Sequence, residues 1–469
     1  MLLTIMTRRR HYHLPFCYFA TVSLVVGRST AAYYSSTAFV AGQQAASRSS
    51  TIGLSASSTA TNSAAAAACH APDVDQLPLD LPRRTDVLVA LAAVRQAGQV
   101  ARELQPSSST SFTNQNNNNN IETIQKWDTS PVTVADFAVQ AMVLYHLKEA
   151  FKLNANHDSF IAEESSQALD QNDTLAELVT NATTNILYNA DLVKRSIDLG
   201  KEYELWNDSD NKRPSRVWCL DPIDGTKGFL RGRREGGQYC VALALLEEGI
   251  PTIGIMACPN LPSRPDDFNY AWKNDETQEN NEGTRGCIFV ATKGGGCYQL
   301  PFVPGSHPPV PLVVTPNDGS TMATSDARFC IGVERFSDAL GQCAGIAKLL
   351  HGAEGVTAEG EIINARKFDS MAKYGVLARA GAEFYVRLPK PGYLEWIWDH
   401  AAGHVVITEA GGKMTDTNGD EVDFSLGAKM SDKVKGVLAS NGGIFHDALV
   451  AAFQEQEVER LKQLSDAEQ

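Results

Sequence analysis

Apolar residues recur at helical spacing over residues 85–104, where Val87, Leu91, Val94 and Ala101 fall on one stripe and predict a helix with one buried face. A second helix is predicted over residues 133–151. Thr133 and Asp136 have capping-box spacing at its start, and Val139, Val143, Leu147 and Ala150 supply its apolar face. Shorter apolar runs read as strands: 160–162, ending at Glu163-Glu164; 217–220, ending at Asp221; then 239–247, 250–258 and 287–292. A polar loop is expected over 261–286, a tight turn at Gly294-Gly295-Gly296, and a hinge in the Pro/Gly-rich stretch 300–318. Beyond it helix and strand alternate over 341–351, 372–379, 382–388 and 400–409. The pattern predicts an α/β protein in two lobes: an α+β lobe over 73–320 and an α/β lobe over 321–460, followed by a tail, 461–469. Residues 107–120 are Ser/Thr and then Asn, with nothing to bury, and read as a disordered insertion. No internal repeat is visible.

Charge divides the chain more sharply than hydropathy does. Residues 1–72 contain no acidic residue but carry Arg8, Arg9, Arg10, Arg28 and Arg48, so the remaining 397 residues hold 36 basic against 55 acidic groups, a net charge of −19. So acidic a body is not expected to bind nucleic-acid polymer by neutralising phosphates. A small anion remains an acceptable ligand if metal ions supply the positive charge. The first 72 residues read as a cleaved address: a basic triplet, then an eleven-residue apolar run over 16–26, too short for a bilayer of about 30 Å. Small residues, Phe39 and a Ser/Ala-rich stretch follow, an order that resembles the bipartite plastid presequences of diatom-like algae. A mitochondrial transit peptide is the alternative, and after residue 72 no membrane association is expected. The nine cysteines form no Cys-x-x-Cys pair and several sit in apolar runs, so buried thiols are expected instead of zinc ligands or a disulfide framework.

The candidate chemistry lies at strand ends. Asp221 and Asp224 are separated by Pro222 and Ile223 and followed by Gly225, which predicts a turn that aims both carboxylates at one point. Hard cations such as Mg²⁺ take carboxylate, carbonyl and water oxygens at about 2.0–2.1 Å, and the Ile223 carbonyl between the two Asp is a third donor. An isolated Asp-Pro-x-Asp-Gly more often closes a loop. Here Glu163 and Glu164 also end a strand, and Asp399 follows the apolar run Trp396-Ile397-Trp398, just before a predicted helix that it is placed to N-cap. Three such sites suit a two-metal cage. His400 and His404 lack the intervening Glu of a zinc protease and read as ordinary helix residues. Lys293-Gly294-Gly295-Gly296 lacks the spacing of a phosphate loop.

In register, four segments resemble the inositol monophosphatase superfamily: Lys126-Trp-Asp-Thr-Ser-Pro-Val-Thr-Val-Ala-Asp136, Ile161-Ala-Glu-Glu-Ser165, Trp218-Cys-Leu-Asp-Pro-Ile-Asp-Gly-Thr-Lys-Gly-Phe-Leu-Arg231 and Ile397-Trp-Asp-His-Ala-Ala-Gly403. Within it, Gly237-Gln-Tyr-Cys-Val-Ala-Leu243, Ala257-Cys-Pro-Asn-Leu261 and Asp369-Ser-Met-Ala-Lys-Tyr374 resemble the 3'(2'),5'-bisphosphate nucleotidases, and the match runs from about residue 86 to 450. The resemblance implies a layered α/β/α/β/α fold and Mg²⁺-dependent, lithium-sensitive hydrolysis of the 3'-phosphate of 3'-phosphoadenosine 5'-phosphate. It implies two or three Mg²⁺ ions on Glu163, Asp221, Asp224, Asp399 and the Ile223 carbonyl. Asp136 and Thr226 would orient and deprotonate the attacking water. Ser370, Lys373 and Arg387 would contact the nucleotide, with Thr226 and Asp399 beside it. The expected partner is thus a small-molecule nucleotide, and the expected state a monomer.

Three departures bear on substrate. Val333-Glu334 is followed by Arg335-Phe336-Ser337-Asp338 where relatives usually carry a His-Ser-Ser-His-like segment, residues 233–236 look like a short insertion beside the active-site strand, and the 107–120 insertion lies just before the loop bearing Lys126 and Asp128. An inositol polyphosphate or monophosphate phosphatase remains the alternative within the superfamily. An aspartyl phosphatase of the haloacid dehalogenase type would have one residue, not two, between the aspartates. A non-catalytic sensor would be expected to lack one of the ligands.

Overall fold

Besides a two-stranded sheet of Thr123–Gln125 (β1) and Pro131–Thr133 (β2), two larger β-sheets alternate with three layers of helices. The computed structural model describes residues 73–74, 76–106, 123–125, 131–152, 158–205, 214–263, 285–333 and 338–467. The presequence, the 107–120 insertion, Lys126, Asp128 and residues 335–337 lie outside the described residues. Strands and helices are numbered in chain order. The larger sheet has the order β3-β4-β5-β6-β7-β8-β9, formed by Ser159–Ala162, Arg216–Asp224, Cys240–Glu247, Ile250–Pro262, Arg285–Thr292, Gly296–Pro301 and Val310–Leu312. It is antiparallel except where β3 runs parallel to β4. The smaller sheet is formed by Phe329–Ile331 (β10), Ala365–Lys367 (β11), Phe384–Arg387 (β12), Lys413–Asp416 (β13) and Val437–Ser440 (β14), in the order β11-β10-β12-β14-β13.

Alternation within each strand sorts the core. Trp218, Leu220, Leu243, Ile255 and Val290 face one way and pack under helix α1 (Arg84–Leu104) and helix α2 (Val134–Phe151). Val217, Cys219, Ala242, Met256 and Phe289 face the other way and pack on helix α8 (Ala372–Ala378) and helix α9 (Ala401–Glu409), whose far side meets Cys330, Tyr385 and Ala439 of the smaller sheet. Phe329, Phe384 and Leu438 on that sheet's outer face pack under helix α7 (Cys343–His351) and helix α10 (Gly443–Ala467). The order is therefore helix, sheet, helix, sheet, helix, as expected. The contact between α9 and the larger sheet is close: a Cβ on Gly254 would strike the Ala402 carbonyl oxygen. The described residues all belong to one compact unit, and the expected division near residue 320 falls between the last strand of one sheet and the first of the other. Among the described residues no helix is long and apolar enough to cross a membrane.

Several local expectations need correction. Residues 300–318 are not simply a hinge, because β8 ends at Pro301 and β9 adds Val310–Leu312 to the sheet edge. The polar loop begins later than expected, since β6 continues to Pro262. The second helix does not have one apolar face: α2 is buried on most sides, between α1 with the sheet and the small helices α3 (Gln167–Asp170), α4 (Asp173–Thr183) and α5 (Ala190–Asp198), while Ala150 is exposed. The described cysteines, Cys219, Cys240, Cys258, Cys287, Cys297, Cys330 and Cys343, are free and buried, as expected.

Candidate active site

The aspartate motif sits on a strand, not in the turn that Pro222 and Gly225 suggested. β4 continues through Asp221-Pro222-Ile223-Asp224, and its pairing with β5 shifts register between Asp221 and Asp224. Proline, without an N–H, is tolerated at such an irregularity, and the shift lets two aspartates three residues apart turn to one side. Gly225 then adopts φ +87° and starts helix α6 (Thr226–Arg231). The parallel partner β3 pairs Ala162 with Leu220, which brings Glu163 beside Asp221. Gln140 of α2 holds that strand end, donating to the Glu164 and Ile197 carbonyls at 2.8 Å each and accepting from the Glu164 N–H at 2.8 Å.

Asp399 comes from the middle layer, just ahead of α9. It ends a short 3-10 turn, Ile397–Asp399, and is not the expected cap: His400 occupies the N-cap position of α9 with no side-chain cap bond. Carboxylate oxygens of Asp221, Asp224 and Asp399 all lie within 4.8 Å of one another. Burial pushes the Asp224 and Asp399 carboxyls above the usual range. Lys373 and Arg387 oppose this for Asp224, Arg387 opposes it for Asp399, and the charge of Glu163 adds to the rise in both. The three carboxylates gathered this way, with the charge of Glu163 nearby, repel one another, and a hard divalent cation is the partner their oxygen donors suit. The cluster can therefore hold a metal.

Beside it stands a hydroxyl–carboxylate pair. Thr226 Oγ1 lies 3.2 Å from the Ile223 carbonyl oxygen and a long 3.4 Å from Asp136 Oδ1. Asp136 is buried, and its other oxygen, Oδ2, accepts from the Thr133 N–H at 2.8 Å and the Thr133 hydroxyl at 2.6 Å, completing the capping box. Asp136 thus both caps α2 and reaches Thr226, one oxygen for each role.

The three residues expected to contact nucleotide, Ser370, Lys373 and Arg387, are engaged with protein. Ser370 has φ +69°, uncommon for a residue with a side chain. That conformation directs the Met371 N–H onto Asp224 Oδ2. Lys373 is only 3% exposed, and its ammonium donates to the Phe368 and Ser370 carbonyls at 3.2 and 2.7 Å. In this arrangement it shapes the Ser370 loop and adds positive charge near Asp224. Arg387 binds Glu395 through Nε and Nη2 at 2.8 and 2.9 Å and reaches Asp399 Oδ2 at 3.1 Å. His400 is not the ordinary helix residue expected; it is fully buried, between Tyr374 and Glu395. Glu395 was not singled out from the sequence. The available signal was an acidic residue within the apolar run Tyr393-Leu394-Glu395-Trp396-Ile397-Trp398, which demands a buried partner.

Gly225 offers a direct test of this packing. A Cβ there would lie 2.8 Å from Ser370 Cβ, on a backbone with φ +87°. Gly225→Ala should destabilise the fold by about 1–3 kcal/mol and lower kcat, because relief of the clash moves the Met371 N–H off Asp224. Thermal unfolding and steady-state rates measure both effects, and a variant unchanged in each would show that the Ser370 loop is not held as described.

The model of the inositol monophosphatase family matches residues 83–457. A 3'(2'),5'-bisphosphate nucleotidase of Emericella nidulans is 36% identical over 353 residues, covering 70% of this chain and 89% of that protein. The protein of the same name from Schizosaccharomyces pombe is 35% identical, covering 70% and 85%. The 3',5'-bisphosphate nucleotidase AHL of Arabidopsis thaliana is 35% identical, covering 70% and 86%. Among solved structures, an inositol monophosphatase from Anabaena (Nostoc) sp. PCC 7120 is 18% identical with a TM-score of 0.44, covering 79% of this chain and 96% of that one. On the extent of the family match and of these relatives, the chain belongs to the inositol monophosphatase family.

Proposed function

We propose that this chain is a Mg²⁺-dependent phosphomonoesterase that removes the 3'-phosphate of 3'-phosphoadenosine 5'-phosphate, giving AMP and phosphate. The observation that carries the reading is the Thr226–Asp136 pair set beside the carboxylate cluster; the names of the relatives point to the bisphosphate nucleotide. Glu163, Asp221, Asp224, Asp399 and the Ile223 carbonyl would hold two or three Mg²⁺ ions. Bound there, the ions supply positive charge for the phosphoryl oxygens and the leaving oxygen. The Thr226 hydroxyl accepts a hydrogen bond from the attacking water and passes its own hydrogen to Asp136 Oδ1. As the new P–O bond forms and the bond to the 3'-oxygen breaks, the water proton leaves along this path and the 3'-oxygen takes a proton from solvent. By the family resemblance, Ser370, Lys373 and Arg387 would contact the nucleotide. On the same reading, lithium inhibits the enzyme, the mature chain is monomeric, and residues 1–72 direct it to a plastid. The address is supported by the acid-free composition of that stretch.

Substrate preference is read from kcat/KM for 3'-phosphoadenosine 5'-phosphate against inositol 1,4-bisphosphate at saturating Mg²⁺. The nucleotide is expected to be the better substrate, and preference for the inositol ester would overturn that half of the assignment while leaving the phosphatase chemistry in place.

A further inference from the structure

Behind Asp399 lies a buried chain of polar groups that takes no part in the proton path from water through Thr226 to Asp136. Glu395 is 0% exposed and takes both arms of the Arg387 guanidinium, Nε on Oε1 at 2.8 Å and Nη2 on Oε2 at 2.9 Å. Oε2 also lies 3.4 Å from His400 Nε2, and His400 Nδ1 lies 2.8 Å from the Tyr374 hydroxyl. Tyr374 and His400 are both fully buried, and burial keeps the phenol protonated and disfavours charge on the imidazole. With His400 neutral, Tyr374 donates to Nδ1 and the Nε2–H points to Glu395. Every group in the chain then has a partner, and the Glu395 carboxylate is its hub.

Glu395, Asp399 and His400 also bring ligand atoms within 4.8 Å of one another, the spacing of a second metal cage. Arg387 argues against that use. Its guanidinium already occupies both Glu395 oxygens, so the cation at this place is part of the protein. Arg387 stands between two carboxylates that compete for one planar fork, and a bidentate pair is the stronger arrangement. Glu395 has that pairing, and Asp399 receives a single bond from Nη2 at 3.1 Å.

We propose that Glu395 is a positioning residue for the cation site: by holding the Arg387 fork it limits the grip of Arg387 on Asp399, and so keeps the Asp399 carboxylate turned to Asp221 and Asp224. The proposal rests on the reading of that cluster as a cation site. Without the charge of Glu395, Arg387 pairs more fully with Asp399 and draws an anionic ligand away from the cluster.

The test is Mg²⁺ binding to the full chain by isothermal titration calorimetry, with kcat measured as a function of Mg²⁺ and unfolding followed without it. Glu395→Gln keeps size and shape and is expected to weaken Mg²⁺ binding about 10–100-fold, the usual effect of losing a partner of a metal ligand, with kcat largely regained at saturating Mg²⁺. Glu395→Asp keeps the charge and should fall between the two. A purely structural role would lower the melting temperature and leave the Mg²⁺ affinity of the folded protein unchanged. Folded Glu395→Gln with wild-type affinity therefore overturns the positioning role and leaves the cation reading intact. If Glu395→Gln does not fold, Glu395→Asp carries the same two outcomes. A wild-type chain that takes up no Mg²⁺ overturns both.

Discussion

Asp224→Asn should lose at least about a thousandfold in kcat at saturating Mg²⁺, and in the absence of the ion the variant should be no less stable than wild type. The two effects have opposite causes. Cations at such a site supply several kcal/mol of charge stabilisation, and each 1.36 kcal/mol is tenfold in rate. Without ions, the same carboxylate is a burden to the fold. Burial, together with the charge of Glu163, pushes its pKa up, and Lys373, the Met371 N–H and Arg387 only partly offset this. An amide removes the charge but keeps an oxygen for the Met371 N–H. Melting curves with and without Mg²⁺ should therefore show wild type stabilised by the ion and Asp224→Asn indifferent to it. Near-normal kcat in the variant would remove Asp224 from the metal site.

Asp136→Asn is expected to lower kcat by about 10²–10⁴, the usual contribution of a general base, with little loss of stability. The division of labour between its two oxygens makes this a clean experiment. Oδ2 serves Thr133 and the helix cap, Oδ1 faces Thr226. Asparagine can keep its oxygen on the cap, where complete loss would amount to about 1 kcal/mol. Its NH₂ group then faces Thr226 and donates where the carboxylate accepted, so the hydroxyl loses its proton acceptor. If the folded variant keeps its rate while only the melting temperature falls, Asp136 is a cap and nothing more.

What could be read from the sequence follows from how local each signal is. The start of α2 is written within four residues, Thr133 to Asp136, and the structure forms that capping box. Trp218, Leu220, Leu243 and Val290 belong to apolar runs long enough to mark strands. The carboxylates stood out because each follows such a run. Other features depend on residues far apart. Asp224 pairs with Cys240 only through a register shift that no spacing rule foretells, so the sequence predicts a turn where the structure has a strand. β10 and β11 are three residues each and exist only through pairing with their neighbours. The hold of Glu395 on Arg387 crosses a Pro/Gly loop. The nucleotide role of Lys373 came only with the family resemblance; that its ammonium lies on carbonyls of its own loop depends on a backbone path no spacing shows.

The middle helical layer also fixes an order of events during synthesis. The larger sheet is complete in sequence at Leu312, but the helices that cover its inner face, α8 and α9, end only at Ala378 and Glu409. At roughly 5–20 residues per second on the ribosome, that face stays bare for several seconds, with Val217, Ala242, Met256 and Phe289 turned outward. A nascent chain in that interval presents a flat apolar sheet, the surface that chaperones bind and that neighbouring chains aggregate through. Asp399 arrives on the same late segment as α9, so the last ligand of the site and the lid of the hydrophobic core are delivered together.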